Sequence, residues 1–91
     1  MSDVHDNAAQ QRYELAVGSD VAIAAYQRRG DVLVFTHTQV PPALEGEGVG
    51  SRLVRGALDD VRARGLTVIP ACTFVAAYFE RHPGEQDLLA E

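Results

Sequence analysis

Alternating hydrophobic and polar positions predict three β-strands in the first half of the chain. In residues 12–17 every second residue is apolar, which is typical of a half-buried strand. Residues 21–28 and 32–40 predict two further strands, the first of them apolar on both faces, and glycine-containing turns at 18–20 and 29–31 separate the three segments. We therefore expect an antiparallel meander. The third segment begins apolar on both faces, which indicates a central strand covered on both sides.

After residue 48 the hydrophobic spacing changes from a strand period to a helical one. Residues 48–64 predict a helix with an apolar stripe, and Gly65 is expected to end it. Residues 66–72 predict a fourth strand, and 74–81 a second helix with Thr73 as N-cap. A strand–helix–strand unit crosses over right-handed, so strands three and four should be parallel. The predicted class is α/β with a mixed sheet, in one domain spanning residues 1–91 whose first ten residues form a loose arm.

Composition narrows the classes of function. The 91 residues carry a net charge of -5, and all eight cationic residues are scattered arginines, which argues against a nucleic-acid partner. No apolar stretch is long enough to span a membrane, and the polar start is not a signal peptide. Cys72 is the single cysteine, so a cytoplasmic location is expected. A core this small is compatible with a homodimer.

Three glycines at every second position, 46, 48 and 50, join the third strand to the first helix. Such a loop lets a phosphate approach backbone N–H groups at a helix N-terminus. Ligands of open α/β sheets bind outside the carboxyl ends of parallel strands. That edge should also collect His37 and Cys72, so the sequence predicts a phosphate-bearing ligand beside an imidazole and a thiol.

Three segments in order resemble a short, stand-alone branch of the GCN5-related N-acetyltransferase superfamily. They are THTQVPP at 36–42, EGEGVGS at 45–51, and CTFV at 72–75 leading to RHP at 81–83. The resemblance implies a truncated acetyltransferase core that uses acetyl-CoA. It assigns the pantetheine arm to the end of the third strand and the diphosphate to the glycine loop. The implied coenzyme residues are Thr38, Gln39, Val40, Glu45, Gly46, Glu47, Gly48, Val49, Gly50 and Ser51.

Cys72 and His37 are the candidate catalytic residues. The thiol precedes a predicted helix N-terminus, which favours the thiolate, so Cys72 is a candidate acetyl acceptor. Imidazoles ordinarily titrate near neutrality, so His37 is a candidate base for the ammonium substrate or for the thiol. The alternatives are a buried structural cysteine and a strand histidine satisfied by a neighbour. No His, Cys, Asp and Glu set has the spacing of a metal site.

Two departures from the family pattern affect these predictions. Glu45 and Glu47 stand where a neutral or basic residue is usual, and their carboxylates should point away from a diphosphate. Phe79 occupies the position where larger relatives often place a general-acid tyrosine. Arg52 and Arg81 are candidates for contacts with the coenzyme phosphates, although solvated surface is the favoured assignment for both. Tyr78 is assigned to the core, and His82 to capping the last helix.

The function predicted is an acetyl-CoA-dependent N-acetyltransferase of reduced size. Its acceptor is a small-molecule or peptide amine, and transfer is direct or passes through acetyl-Cys72. The alternative is a non-catalytic CoA-binding or acyl-CoA-binding module, which binds the same coenzyme without turnover. A nucleotide-binding domain is disfavoured, since the chain lacks the Gly-Lys-Ser/Thr of a P-loop.

Overall fold

Residues 3–90, the part of the chain that this computed structural model describes, contain a five-stranded mixed sheet, two α-helices and two short 3-10 helices at Pro42–Leu44 and Pro83–Leu88. The strands are β1 (Val4–Asn7), β2 (Arg12–Val17), β3 (Asp20–Arg29), β4 (Val32–Gln39) and β5 (Thr67–Pro70), and they lie in this order across the sheet. The helices are α1 (Val49–Ala63) and α2 (Thr73–Arg81). Neighbouring strands are antiparallel from β1 to β4, and β4 and β5 are parallel. The predicted meander, crossover helix, parallel strand and C-terminal helix are confirmed.

β1 is a correction, because the sequence predicted a loose arm over residues 1–10. Val4–Asn7 instead pair antiparallel with β2 at the edge of the sheet. Asp6 points inward and accepts hydrogen bonds from the Tyr26 hydroxyl at 2.6 Å and the Arg64 guanidinium at 3.0 Å. Burial and the Asp6 carboxylate raise the pKa of Tyr26 to about 12, so its hydroxyl remains a donor at neutral pH. An inward carboxylate on an edge strand also disfavours pairing with other chains.

The hydrophobic core lies on one face of the sheet, where α1 packs. Its strand residues are almost fully buried, and six apolar residues of α1 belong to the same core. These members are Tyr13, Leu15, Ala22, Ala24, Tyr26, Leu33, Phe35 and Val68 from the strands, and Val49, Leu53, Val54, Ala57, Leu58 and Val61 from α1. On the other face Val34 is half-buried, while Val21 and Ile69 are 45% and 44% exposed. The expectation that β4 is covered on both faces is therefore wrong.

Glycines define both ends of α1. Gly48 is its N-cap with a left-handed φ of 74°. At the other end Gly65 also has positive φ, at 69°. The Leu66 amide bonds to the Val61 carbonyl and the Gly65 amide to the Arg62 carbonyl, which together form a Schellman motif. The prediction that Gly65 ends this helix is confirmed.

α2 begins one residue away from the predicted cap. Thr73 is its first residue, and Cys72 is the N-cap in extended conformation. At its other end His82 is the C-cap, and its Nδ1 lies 2.9 Å from the Tyr78 carbonyl, as predicted for a capping histidine. The imidazole stacks on the Tyr78 ring with centroids 3.9 Å apart. Tyr78 is only 3% exposed, which confirms its assignment to the core.

A β-bulge in β4 changes which side chains share a face. Tyr26 pairs with Phe35, but the next residue back on β3, Ala25, pairs with His37, so Thr36 is the extra residue. Thr38 then pairs with the fully buried Ala24 and lies on the helix face. Unbroken alternation along β4 would place His37 on the same face as Phe35, and Thr38 on the opposite face. The bulge reverses that assignment.

Candidate active site

A cleft of about 360 Å³ lies where β4, the glycine loop and α2 meet. Eight of the ten predicted coenzyme residues line it, and Leu44 and two residues of α2 complete the wall. The predicted residues in the lining are Thr38, Val40, Glu45, Gly46, Gly48, Val49, Gly50 and Ser51, and the residues from α2 are Phe74 and Arg81. Gln39 and Glu47 are exposed and do not belong to the lining.

The three loop glycines are needed for two different reasons. Gly46 and Gly48 adopt φ of 84° and 74°, and a Cβ at either would meet no atom within 4 Å. Their requirement is therefore conformational, because side chains rarely adopt this backbone region. Gly50 has ordinary helical φ, but its Cβ would stand 2.5 Å from Cζ of Phe74. Gly50 thus allows α1 and α2 to approach closely.

The first turn of α1 presents its amides at the cleft. Val49, Gly50 and Ser51 are its first three residues, and the first helical bond runs from the Arg52 amide to the Gly48 carbonyl. The three preceding N–H groups have no acceptor within the helix, and the helix dipole makes this end positive. This geometry suits a phosphate group. Glu45 opposes it, since it lines the same cleft, whereas Glu47 lies outside the lining.

Cys72 lies just after β5, in hydrogen-bond contact with Thr38. Its amide donates to the Phe35 carbonyl at 2.8 Å, and its Sγ is 3.3 Å from Oγ1 of Thr38. Burial of the half-buried sulfur opposes ionisation. The Thr38 hydroxyl and the amides of Val75 and Phe74 outweigh it, so the pKa of the Cys72 thiol lies below its usual value. The sulfur makes no side-chain capping hydrogen bond at the N-terminus of α2. The amides of Val75 and Phe74 therefore lower the pKa of the thiol because their N–H dipoles point towards the sulfur.

His37 does not lie beside Cys72. It pairs with Ala25 across the ladder and is exposed, while Thr38 turns towards the thiol. Successive residues of a strand point to opposite faces, so the imidazole is on the other side of the sheet from the sulfur. The imidazole of His37 makes no hydrogen bond or ion pair within residues 3–90. Thr38 is therefore the residue that contacts the thiol.

Three lining residues were not among the predicted site residues. Leu44 and Phe74 had no assigned role, and Arg81 was considered as a phosphate contact but assigned to solvated surface. Phe74 and Arg81 are on α2, seven residues apart, and this spacing places them on one face of a helix. The spacing was a usable signal, but only the packing of α2 against the loop shows that this face lines the cleft.

A second, larger cavity of about 460 Å³ lies between β1 and α1. It contains none of the predicted site residues. Arg52 lines it and pairs with Asp3 at 3.5 Å, so this arginine is directed away from the glycine loop. Of these two cavities the smaller cleft is the candidate site, because it combines free helix amides with a neighbouring ionisable thiol.

Within residues 3–90, no group of three or more His, Cys, Asp or Glu side chains lies close enough together to hold a metal ion. No helix in this range is long and apolar enough to cross a membrane.

Comparison with known proteins agrees with this geometry. The family model described as GCN5-related N-acetyl-transferase matches residues 12–88. Protein NATD1 of Gallus gallus and of Mus musculus is 33% identical over 70 residues, which are 76% of this chain and 64% of each relative. Protein NATD1 of Homo sapiens has the same identity, over 62% of its length. The chain thus spans less than two thirds of these relatives.

A solved structure shows the same fold. The NMR structure of a GCN5-like protein from Staphylococcus aureus has a TM-score of 0.73, covering 99% of this chain and 91% of that one. Sequence identity to it is 22%, so this likeness concerns the fold alone. The match of the family model over most of the sequence is what decides the assignment. This chain belongs to the GCN5-related N-acetyltransferase family.

Proposed function

We propose that this chain transfers an acetyl group from acetyl-CoA to an amine. The observation that carries the proposal is a single cleft that joins the free amides of α1 to Thr38, which contacts the ionisable thiol of Cys72. In this arrangement the amides of residues 48–51 hold the diphosphate, and the thioester lies near the sulfur. The residues fit the coenzyme, with the Glu45 carboxylate as the one unfavourable neighbour.

The end of β4 provides a binding edge for the pantetheine arm. Its ladder with β5 ends where Phe35 meets Pro70, yet β4 continues to Gln39. Pro70 has no N–H group, and the chain leaves the ladder after it. Backbone groups between Thr36 and Gln39 therefore have no strand partner on that side. An amide-bearing arm pairs with such an edge as an added strand would.

Cys72 is proposed to react with the acetyl group. The coenzyme supplies a thioester whose carbonyl carbon is electrophilic. The Sγ thiolate bonds to this carbon, and the coenzyme sulfur leaves and takes a proton. A neutral amine then attacks the same carbonyl and displaces Sγ, giving the amide and the free thiol. In the direct route the amine attacks the thioester itself, and Cys72 only adjoins it.

His37 is proposed to act as a base towards the amine substrate and not towards the Cys72 thiol. It lies on the opposite face of β4, beside the stretch that has no β5 partner. An amine that approaches through this gap from the open face meets the imidazole before it meets the thioester. There His37 accepts the proton that converts an ammonium into a nucleophile and passes it to solvent.

Turnover tests the proposal. The full chain is incubated with acetyl-CoA and a panel of small amines and peptides, and both free CoA thiol and acetylated product are measured. We expect turnover with at least one amine, and an acetyl adduct on Cys72 when no amine is present. Cys72→Ala removes the adduct, and Cys72→Ser keeps a polar side chain at the N-cap as its matched control. Turnover without any adduct would select the direct route.

A non-catalytic acyl-CoA-binding module is the second candidate. It is favoured by one observation: the lining of the cleft contains no base other than the Glu45 carboxylate, because His37 is on the far face. Saturable binding of acetyl-CoA without turnover across the whole panel would select this function and exclude the transferase.

A further inference from the structure

Arg81 lines the coenzyme cleft and has no protein partner. It makes no hydrogen bond or ion pair with any residue between 3 and 90, and its side chain is exposed. It lies in the last turn of α2, the helix whose first residue follows Cys72. The nine residues of α2 extend over roughly 13 Å at the helical rise of about 1.5 Å per residue. Arg81 therefore stands at the end of the cleft remote from the thiol.

Most other arginines are already engaged. Four pair with carboxylates: Arg12 with Glu14, Arg52 with Asp3, Arg62 with Glu85 and Asp87, and Arg64 with Asp6 and Asp60. Two donate to neutral oxygens: Arg28 to the Gly30 carbonyl and Arg29 to Gln27. Within residues 3–90 only Arg55 and Arg81 make no such bond. Arg55 shares its cavity with two carboxylates, Asp3 and Asp59, whereas Arg81 shares its cleft with the first turn of α1 and with one carboxylate, Glu45.

An unpaired arginine beside free amides indicates an anion as the missing partner. The guanidinium fork matches the geometry of a phosphate and binds it through two donors. We propose that Arg81 binds the ribose 3′-phosphate of coenzyme A and so makes the site selective for this phosphate. The inference rests on the proposed function, since it concerns the same cleft and coenzyme.

The position of Arg81 explains the choice among the coenzyme's phosphates. The amides of the α1 N-terminus lie nearer the reacting end, because Gly50 packs on Phe74 in the first turn of α2. Those amides are assigned to the diphosphate. Along the coenzyme, starting from the thioester, the 3′-phosphate comes after the diphosphate. Along the cleft, starting from the thiol, Arg81 comes after the α1 amides. The order of the phosphates therefore matches the order of the groups that would bind them. The charge of Arg81 also offsets that of Glu45, the other charged residue in the lining.

Calorimetry with two ligands tests this assignment. Coenzyme A and dephospho-coenzyme A differ only in the 3′-phosphate, and each is titrated into wild type, Arg81→Gln and Arg55→Gln. We expect wild type and Arg55→Gln to bind coenzyme A roughly tenfold more tightly than the dephospho form, the factor expected of one charged hydrogen-bonding contact. In Arg81→Gln both ligands should bind with the wild-type affinity for the dephospho form. Because Arg81 is exposed and unpaired, the unliganded variant should melt as wild type does.

Each other outcome counts against the assignment. If Arg81→Gln keeps the tenfold preference, the 3′-phosphate is bound elsewhere. If this variant loses affinity for both ligands equally, Arg81 contacts the diphosphate, and the proposal is overturned. If wild type binds neither ligand, the proposed function fails as well. Binding with unchanged discrimination would overturn the Arg81 assignment alone.

Discussion

Replacing Gly50 with alanine tests how the two walls of the cleft fit together. The new Cβ would lie 2.5 Å from Cζ of Phe74 and 3.2 Å from both Cε atoms. Carbon atoms in favourable contact are about 3.5–4 Å apart, so the overlap is roughly 1 Å. Overpacking of this kind typically costs about 1–3 kcal/mol. The higher helix propensity of alanine returns at most about 1 kcal/mol. We expect a net loss of about 1–2 kcal/mol.

Thermal unfolding measures this loss. In a domain of this size 1 kcal/mol corresponds to about 4–8 °C, so Gly50→Ala should lower the Tm by roughly 5–15 °C. Gly48→Ala is the matched control, because it introduces no contact within 4 Å and strains only a φ of 74°. Its cost should be about 1–2 kcal/mol, from the left-handed backbone alone.

Phe74→Leu separates the two causes. It removes the Cε and Cζ atoms while keeping an apolar side chain at this half-buried position. In this background the penalty of Gly50→Ala should largely disappear, whereas that of Gly48→Ala should remain. An equal penalty in both backgrounds would refute the packing argument. So would a Gly50→Ala protein that melts and binds coenzyme A as wild type does. Unchanged melting with weakened binding would mean that the ring has turned into the cleft.

Three further predictions concern the thiol, the imidazole and the edge strand. Thr38→Val removes the hydrogen bond between Thr38 and Cys72, which favours the thiolate. The pH profile of Cys72 alkylation by iodoacetamide should therefore move to higher pH. An unchanged profile would contradict the contact between Thr38 and the thiol. His37→Gln should slow amine acetylation yet leave that profile unchanged, and a moved profile would contradict the opposite-face placement. Tyr26→Phe should cost about 1–2 kcal/mol in urea unfolding and speed amide exchange in β1, since Asp6 loses a donor; unaltered exchange would contradict this anchor.

Most of the fold could be predicted from the alternation of residues in β2, β3 and β4 and from the apolar stripe of α1. An element that is buried on one side has hydrophobic residues at regular intervals in the sequence. β1 has no such hydrophobic period. Its inward residue Asp6 is held by Tyr26 and Arg64, which are distant in sequence. A strand anchored by hydrogen bonds to remote side chains carries no hydrophobic period, so it resembled a loose arm.

The position of the site was predictable, but its internal geometry was not. The glycine loop and the end of β4 fall at the cleft because both follow from the strand–helix connection. His37 and Cys72 were expected together because both lie at the carboxyl end of the parallel strands, but the face on which each β4 side chain lies depends on the count of alternate positions. One extra residue, Thr36, reverses that count, and no residue type in the sequence marks the bulge. Thr38 could therefore be placed beside the thiol only once the register was known.

The positive charge available to a ligand in the cleft depends on which arginines line it, and not on how many arginines the chain contains. A chain of net charge -5 repels a polyanionic coenzyme at long range, but at physiological ionic strength this repulsion is screened beyond about 8 Å. Short-range donors then decide binding. The engaged arginines elsewhere contribute little, because carboxylates or carbonyls already hold most of them. The amides of α1 and Arg81 are left to offset Glu45, so moderate salt should weaken coenzyme binding less than the loss of Arg81 does.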